Sequence, residues 1–306
     1  MEKKNIQRPK DDFAEVDFGD KRLNERLQEM VENSTKNVGK LVLSSSGGRS
    51  EAKACYRLLS NDKFDMEQLQ SLAGSATLNC MSGTVLLIED TSDLNFHGHK
   101  KTEGLGYCSE RIRGISLHSC IAVSQTGLPY GLLEQSYGTR EEAKSSLTKA
   151  EKAARPIEEK ESFRWIDTMR NATAVQPDGV HFVVVCDREG DFYEMYAEAK
   201  TLDVDFVIRV THNRLSDENE RVVTKIRQEP PIGQFTVRIP RDSRRGIPAR
   251  DAEMEVAYCQ VNVRKPATVL DENCPSILTM NLVRITEINP PDGIEPIEWI
   301  LSVIAM

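Results

Sequence analysis

The stretches TVLLIEDTSDLNF (84–96) and HFVVVCDREGDFYEM (181–195) decide the fold. Each begins as an apolar run of strand length and reaches an aspartate, Asp90 or Asp187, where that run ends. Continuous apolar runs bounded by polar residues are typical of strands buried inside an α/β sheet. A charged helical segment precedes the second run, and a short helix and the strand VDFVIRV (204–210) follow it. The sequence therefore predicts an α/β core.

Three amphipathic helices are predicted upstream of this core. The first follows Asp20, a good cap residue, and the second follows Ser50. The third opens with a capping box from Asp65 to Gln68, in which the two side chains satisfy free amides of the first turn. The glycine- and serine-rich stretch at 44–48 is predicted to be the loop between the first two helices. Three short helices indicate a small N-terminal domain.

Downstream of the core the pattern becomes mostly β. Beyond His212, turns that contain proline and glycine separate four runs without helical period, namely QFTVRIP, MEVAYCQVNV, ILTMNLVRIT and EWILSVIAM. The sequence is thus divided into three predicted domains: a helical domain at 1–78, an α/β core at 79–212 and a β-rich segment at 213–306.

Composition excludes several classes of protein. The 306 residues carry a net charge of −8, which argues against a protein that coats nucleic acid through bulk positive charge. No apolar run is long enough to cross a bilayer, and the N-terminus lacks a signal-peptide core, so a cytoplasmic protein is expected. The seven cysteines form no Cys-x-x-Cys pair, which indicates reduced core thiols rather than a zinc module or a disulfide framework.

The two strand-end aspartates are the candidate chemistry. Carboxylates that leave neighbouring strands of an α/β sheet can converge on Mg²⁺, which accepts a few carboxylate oxygens and keeps positions for water and phosphate. An aspartate after a strand is also ordinary turn chemistry, and spacing alone favours that interpretation. Asp90 and Asp187 therefore need a second, independent indication.

That indication is a resemblance carried by six ordered words. They are FGDKRLNERL (18–27), EAKACYRLLSND (51–62), IEDTSDLNF (88–96), GISLHSCIAVSQTGLPYGLL (114–133), KESFRW (160–165) and VVVCDREGDFYE (183–194). In this order and spacing the chain resembles the bacterial cut-and-paste transposases of the insertion-sequence-four family, the Tn-five-like group. The resemblance covers essentially the whole chain.

The resemblance implies a fold and a mechanism. It implies a ribonuclease-H-like core with a β-rich insertion, in which the first and fourth strands lie side by side and Asp90 stands beside Asp187. In that family these aspartates and a glutamate from a late helix bind two Mg²⁺ ions, for which Mn²⁺ substitutes, during cleavage and strand transfer. The implied partners are double-stranded DNA, as terminal inverted repeats and target, and a second copy in a synaptic homodimer. The implied location is the bacterial cytosol and nucleoid.

The resemblance also implies DNA contacts. In the N-terminal domain they fall on Lys21, Arg22, Arg26 and Arg57, for which a helix face of mixed charge is the competing interpretation. Near the second aspartate they fall on Arg188 and Arg209, where a surface ion pair or a solvated strand end competes. Independently of the resemblance, the basic run from Arg238 to Arg250, which includes Arg244 and Arg245, would suit a DNA backbone, and a solvated hairpin is the competing interpretation. Thr91 and His118 are expected to have structural roles.

One departure from the family pattern limits the functional prediction. The family glutamate belongs to a Tyr/Arg/Glu/Lys motif downstream of the EPIEWIL segment, and this sequence has no tyrosine after Tyr258. Glu287, Glu295 and Glu298 precede or lie in the EWIL strand, so none matches it. The chain is expected to end before the catalytic helix and to be inactive in transfer. The alternatives are an end-binding inhibitor and a stand-alone metal-dependent nuclease.

Overall fold

A computed structural model describes residues 11–37, 48–109, 111–140, 148, 151 and 155–304. Within them lie six α-helices: α1 (Lys21–Lys36), α2 (Arg49–Leu59), α3 (Met66–Cys80), α4 (Phe163–Thr173), α5 (Tyr193–Thr201) and α6 (Val222–Gln228). The same residues form ten strands: β1 (Gly83–Asn95), β2 (Gly106–Tyr107), β3 (Arg113–Ser124), β4 (Pro129–Gly138), β5 (Val180–Cys186), β6 (Asp205–Arg209), β7 (Gly233–Ile239), β8 (Arg250–Arg264), β9 (Ile277–Ile288) and β10 (Glu298–Ile304). The expected α/β class is confirmed.

Helices α1 and α3 begin where their cap residues predict, whereas α2 begins at Arg49, so Ser50, which was expected to precede it, lies in its first turn. The Asp20 carboxylate accepts the Arg22 amide at the start of α1, and the Asp65 carboxylate accepts the Gln68 amide at the start of α3. Both bonds satisfy amides that have no partner inside a helix, but the Gln68 side chain bonds the backbone of Asp17, so the predicted capping box is only half formed. A small separate core holds α1 and α2 together, formed by the buried side chains of Val16, Phe18, Leu27 and Leu58. Residues 44–47 of the predicted loop lie outside the described residues.

All ten strands belong to one sheet. Their order is β2-β3-β1-β5-β6-β10-β9-β8-β7, and β4 pairs with β3. Strands β1, β5 and β6 are parallel, whereas β3 runs antiparallel to β1 and β10 antiparallel to β6. The core strands and the β-rich segment therefore share a continuous hydrogen-bonded ladder.

Three details differ from the sequence prediction. Strand β1 continues five residues past Asp90 because β3 pairs with it as far as Asn95. Helix α6 lies in the segment predicted to be mostly β, and its buried Val222 and Ile226 pack on the sheet. The predicted helical segment at 140–173 is an α-helix from Phe163 onward, and most of 141–154 lies outside the described residues.

The two faces of the parallel strands differ in burial. Helices α4 and α5 pack on one of them through Trp165, which contacts His118, and Tyr196, which contacts Phe206. We call this the covered face, and its buried strand residues include Val85, Leu87, Phe182, Val184, Phe206 and Ile208. We call the opposite one the open face, and its residues, half-buried or exposed, include Leu86, Ile88, Val183, Val185 and Val207.

Candidate functional site

The strand register brings Asp90, Asp187 and Arg209 to one level of the sheet. Glu89 on β1 pairs with Cys186 on β5, and Cys186 pairs with Ile208 on β6. Asp90, Asp187 and Arg209 each come one residue after these paired positions. Because successive side chains alternate between the two faces, all three belong to the open face. The backbones of neighbouring strands are about 5 Å apart, which makes the two aspartates neighbours.

The electrostatic surroundings of Asp187 join both nearby arginines to this level. Asp187 ends β5 and its Oδ1 accepts the Glu189 amide at 2.7 Å, which caps the short 3₁₀ turn Arg188–Gly190. Burial lowers the pKa of Arg209; the charge of Arg188 lowers it further, and Asp187 opposes this shift. Arg188 and Asp187 therefore both lie within electrostatic reach of Arg209.

Two carboxylates suit a hard cation only in part. In the part of the chain that the structure describes, no group of three or more His, Cys, Asp or Glu side chains is arranged to hold a metal ion. Asp90 and Asp187 are exposed on the open face, and Mg²⁺ is commonly bound through one or two carboxylates together with water and substrate phosphates. The pair fits such an ion, but it does not form a complete protein cage.

The glutamates considered from the sequence are engaged elsewhere. Glu287 is 4% exposed, and the Arg250 guanidinium donates to both of its carboxylate oxygens, at 3.0 and 2.8 Å, which lowers the pKa of Glu287. Arg227 donates to Glu298 at 3.1 and 2.5 Å and likewise lowers the pKa of Glu298. Glu295 is exposed in the connection before β10. None of the three shares the level of Asp90 and Asp187.

A buried acid and a histidine lie behind this level, on the covered face. The side chain of Glu89 has its Oε2 atom 3.3 Å from His118 Nε2, and His118 Nδ1 lies 2.8 Å from Thr91 Oγ1. Burial raises the pKa of Glu89 well above its usual range and lowers the pKa of His118 to about 4, with a smaller contribution from Arg164. Burial therefore favours the neutral form of both groups, and a pKa of about 4 leaves the His118 imidazole neutral at pH 7. The structural roles expected of Thr91 and His118 agree with these contacts.

Sequence reasoning did not identify Asp191, which joins the connections that follow β5 and β6. Its buried carboxylate accepts the backbone amides of Thr211 and His212, the phenol of Tyr196 and the guanidinium of Arg214. The DREGD word contains this aspartate, but no sequence pattern indicates that three of its four partners lie 20 or more residues downstream. The network depends on tertiary structure.

The basic residues of α1 have acidic neighbours. Lys21 lies 3.5 Å from Glu25, Arg22 lies 3.5 Å from Asp20, and Arg26 lies 2.7 Å from Glu29. Without bound DNA, the basic side chains of α1 are thus arranged as the mixed-charge interpretation predicts. Such exposed pairs contribute little free energy, so they leave the cations available to a phosphate.

Helix α2 has a more uniform basic surface than α1. Arg57 is exposed on it, next to Tyr56, which is 51% exposed. Arg49 and Lys53 precede Arg57 at intervals of four residues, so the three cations lie along one side of the helix. No ion pair of these three is found among the described residues. Sequence reasoning identified only Arg57, although the spacing of four residues could have indicated the other two.

The arginines of the β-rich segment are arranged unequally. Arg245 lies 3.8 Å from Asp242, and Arg238 lies 3.0 Å from Asp251. Arg244 is exposed in the turn between β7 and β8 and has no ion pair in the described ranges. Of the two arginines predicted there to bind DNA, Arg244 is thus the less compensated by acids.

None of the helices that the structure describes combines the length and apolarity needed to span a membrane.

The comparison with known protein families concerns the N-terminal helices. Residues 9–64, which include α1 and α2, match a family model described as transposase DNA-binding. The chain is therefore similar to transposases over its N-terminal residues, and this match supports a transposase that has DNA as a partner.

Proposed function

We propose that this chain is a DNA transposase of the insertion-sequence-four, Tn-five-like group, with a ribonuclease-H-like core. Two independent observations support the proposal. One is the match of residues 9–64 to a transposase DNA-binding family. The other is that the parallel strands β1 and β5 lie side by side; they are the first and fourth strands of the core once the two-residue β2 is set aside, which is the adjacency that the resemblance implies.

The observation that carries the assignment is the adjacency of Asp90 and Asp187. In the proposed reaction both carboxylates hold Mg²⁺, or Mn²⁺ in its place, close to the DNA phosphate. When bound, the metal activates the attacking oxygen and stabilises the leaving oxygen in displacement at phosphorus. Arg188 and Arg209 bind the phosphate oxygens beside the scissile bond, because guanidinium groups suit phosphate geometry.

The described residues provide two of the three carboxylates that this mechanism uses. Glu287 and Glu298 are held in ion pairs with Arg250 and with Arg227. We therefore propose that the chain binds DNA and that cleavage and strand transfer need a third acid besides Asp90 and Asp187. Such an acid would complete the set of protein ligands for a second metal ion.

We assign recognition of the terminal inverted repeats to the N-terminal helices. The exposed cations of α2, with Arg22 and Arg26 of α1, form the surface that contacts the DNA phosphates. Arg244, Arg245 and the open-face arginines contact the cleaved end or the target. In the proposed complex two copies act as a synaptic homodimer in the bacterial cytosol, associated with the nucleoid.

The second candidate function is that of an inhibitor. A chain with a DNA-binding domain and an incomplete set of carboxylates would occupy transposon ends without cutting them. The match at 9–64, together with the two-carboxylate site, favours this alternative over a stand-alone nuclease, which would need a complete site and no end specificity.

Gel-shift and cleavage assays on the same labelled DNA separate these functions. We expect the chain to shift a duplex that carries candidate terminal repeats more strongly than a scrambled duplex, and to cut it weakly in Mn²⁺. Asp90→Asn and Asp187→Asn should remove the residual cutting and leave the shift unchanged. Equal shifts for both duplexes would contradict end recognition, and cutting that survives both substitutions would contradict the assigned site.

A further inference from the structure

We propose that Asp191 is a positioning residue that holds Arg209 and the Asp187 turn in a fixed relation. The inference rests on the proposed function, because it concerns the same Asp187 and Arg209. It extends that function to a residue that lies outside the metal and phosphate contacts.

The contacts of the Asp191 carboxylate are numerous and directional. Its Oδ2 atom accepts the amides of Thr211, at 2.5 Å, and His212, at 2.7 Å. Its Oδ1 atom accepts the Tyr196 phenol at 2.7 Å and one nitrogen of the Arg214 guanidinium. The other terminal nitrogen of Arg214 donates to the Asp191 carbonyl oxygen at 2.7 Å. The Asp191 carboxylate therefore accepts four hydrogen bonds, and the Asp191 carbonyl oxygen accepts a fifth.

These contacts join two segments that leave neighbouring parallel strands. Asp191 follows the 3₁₀ turn that begins at Asp187, and Thr211 comes two residues after Arg209. Each segment starts at the level of the candidate site, so their separation sets the distance between the Asp187 carboxylate and the Arg209 guanidinium. A bond between the two segments fixes that separation.

The network is deeply buried and anchored to the sheet. Asp191 is 1% exposed, and the Arg214 guanidinium lies 5.3 Å from the centre of the Tyr196 ring. The Tyr196 phenol oxygen is also 2.9 Å from the hydroxyl of Ser302, on β10. A buried ion pair is weak support for stability, since apolar residues of similar volume often replace one without loss. The hydrogen bonds of the pair do fix the relative orientation of the groups that they join, and a positioning role requires this property.

The test is a double-mutant cycle between Asp191→Asn and Arg209→Ala in the full chain. The readout is the salt dependence of binding to a short fluorescein-labelled DNA duplex in Mg²⁺, followed by anisotropy. Loss of one phosphate contact lowers the slope of log affinity against log salt by about 1. We expect Arg209→Ala to lower the slope by that amount, Asp191→Asn to lower it in the same direction, and the double variant to match Arg209→Ala.

Two controls separate positioning from folding. Val261→Ala, a cavity variant of the buried β8 position, should destabilise the chain and leave the slope unchanged. If circular dichroism shows that Asp191→Asn does not fold, Arg214→Lys takes its place in the cycle, because it keeps the charge and loses the fork of donors.

The possible outcomes distinguish this inference from the proposed function. If Arg209→Ala lowers the slope while the folded Asp191 variant keeps the parent slope, the positioning role alone is wrong. A full additional decrease on adding Asp191→Asn to Arg209→Ala also overturns it, since Asp191 would then act independently of Arg209. An unchanged slope for Arg209→Ala itself would overturn both proposals, because the site would not contact DNA phosphates.

Discussion

The two faces of β1 have opposite chemistry although they alternate residue by residue. On the covered face, Leu87 is 0% exposed and Glu89 is 2% exposed. On the open face, Ile88 is 37% exposed and Asp90 is exposed as well. The neighbouring acids Glu89 and Asp90 thus have different surroundings: burial raises the pKa of Glu89 well above its usual range, whereas the Asp90 side chain is exposed to solvent.

The same alternation separates structural from candidate functional residues on the next two strands. Cys186 is buried and Asp187 exposed on β5, and Ile208 is buried while Arg209 is only half-buried on β6. A shift of register by one residue would exchange the two sets. The chemical role of each residue therefore depends on which face of the strand it occupies, and less on its residue type.

The largest expected effect comes from adding a third carboxylate to this site. Fusing a family C-terminal segment with the Tyr/Arg/Glu/Lys motif after Met306 should raise Mn²⁺-dependent cleavage by more than about a thousandfold, because residues that act as one catalytic unit lose most activity when one is absent. Cleavage of a labelled transposon-end duplex measures the effect. The same fusion with Asp90→Asn is the control and should stay inactive. Strong Asp90-dependent cutting by the 306-residue chain alone would contradict the claim that the site on the open face needs an added carboxylate.

Shortening two neighbouring side chains of β1 tests directly how much more deeply the covered face is buried than the open face. Leu87→Ala on the covered face should lower the free energy of unfolding by about 3 kcal/mol, since it leaves a cavity in the core. Ile88→Ala on the open face should cost less than about 1 kcal/mol. Urea unfolding of both variants measures the difference. Equal losses would mean that the open face is covered in solution, for example by a second copy.

The pH dependence of stability tests the covered face. The pKa of His118 is lowered to about 4 in the folded chain, so between pH 6.5 and 4 the unfolded chain binds the additional proton. The contribution of His118 is fully present above pH 6.5 and is lost as pH falls, by about 2 kcal/mol at pH 4.5. His118→Gln should remove that part of the decrease when urea unfolding is measured at pH 8 and pH 4.5. An identical decrease in both proteins would show that His118 titrates normally.

The smallest expected effect concerns DNA binding by α1 and α2, whose residues belong to neither face of the parallel strands. Substituting Arg22 and Arg57 by Ala should weaken binding of transposon-end DNA roughly tenfold and lower the salt slope by about 1 to 2, because each phosphate contact releases counterions. Anisotropy titrations at several salt concentrations provide the measurement. Lys36→Ala, at the end of α1 and paired with Glu32 at 3.0 Å, is the matched control. Unchanged affinity in the double variant would assign DNA binding to the open face alone.

Local features made several elements predictable. Asp20 and Asp65 fix helix starts through bonds to amides two and three residues away, so the sequence contains the whole interaction. The apolar runs of β1 and β5 are equally local, and their length and residue types indicate strands. Six of the seven cysteines are buried, as expected of core thiols, whereas Cys80 is exposed, against that expectation. The short helix α6 was missed because it is packed on the sheet by only two buried residues.

The sequence by itself determined the α/β class, the starts of α1 and α3, the buried runs and the acidic residues at Asp90 and Asp187, because caps and apolar periodicity act between residues close in the chain. Only the tertiary structure decided that Glu89 is covered and Asp90 open, that Glu287 is held by Arg250, and that Asp191 joins the segments after β5 and β6. These outcomes depend on strand register and on contacts between residues 20 or more positions apart. Each such contact forms only once the chain has folded, since its free energy must offset the entropy of bringing distant residues together.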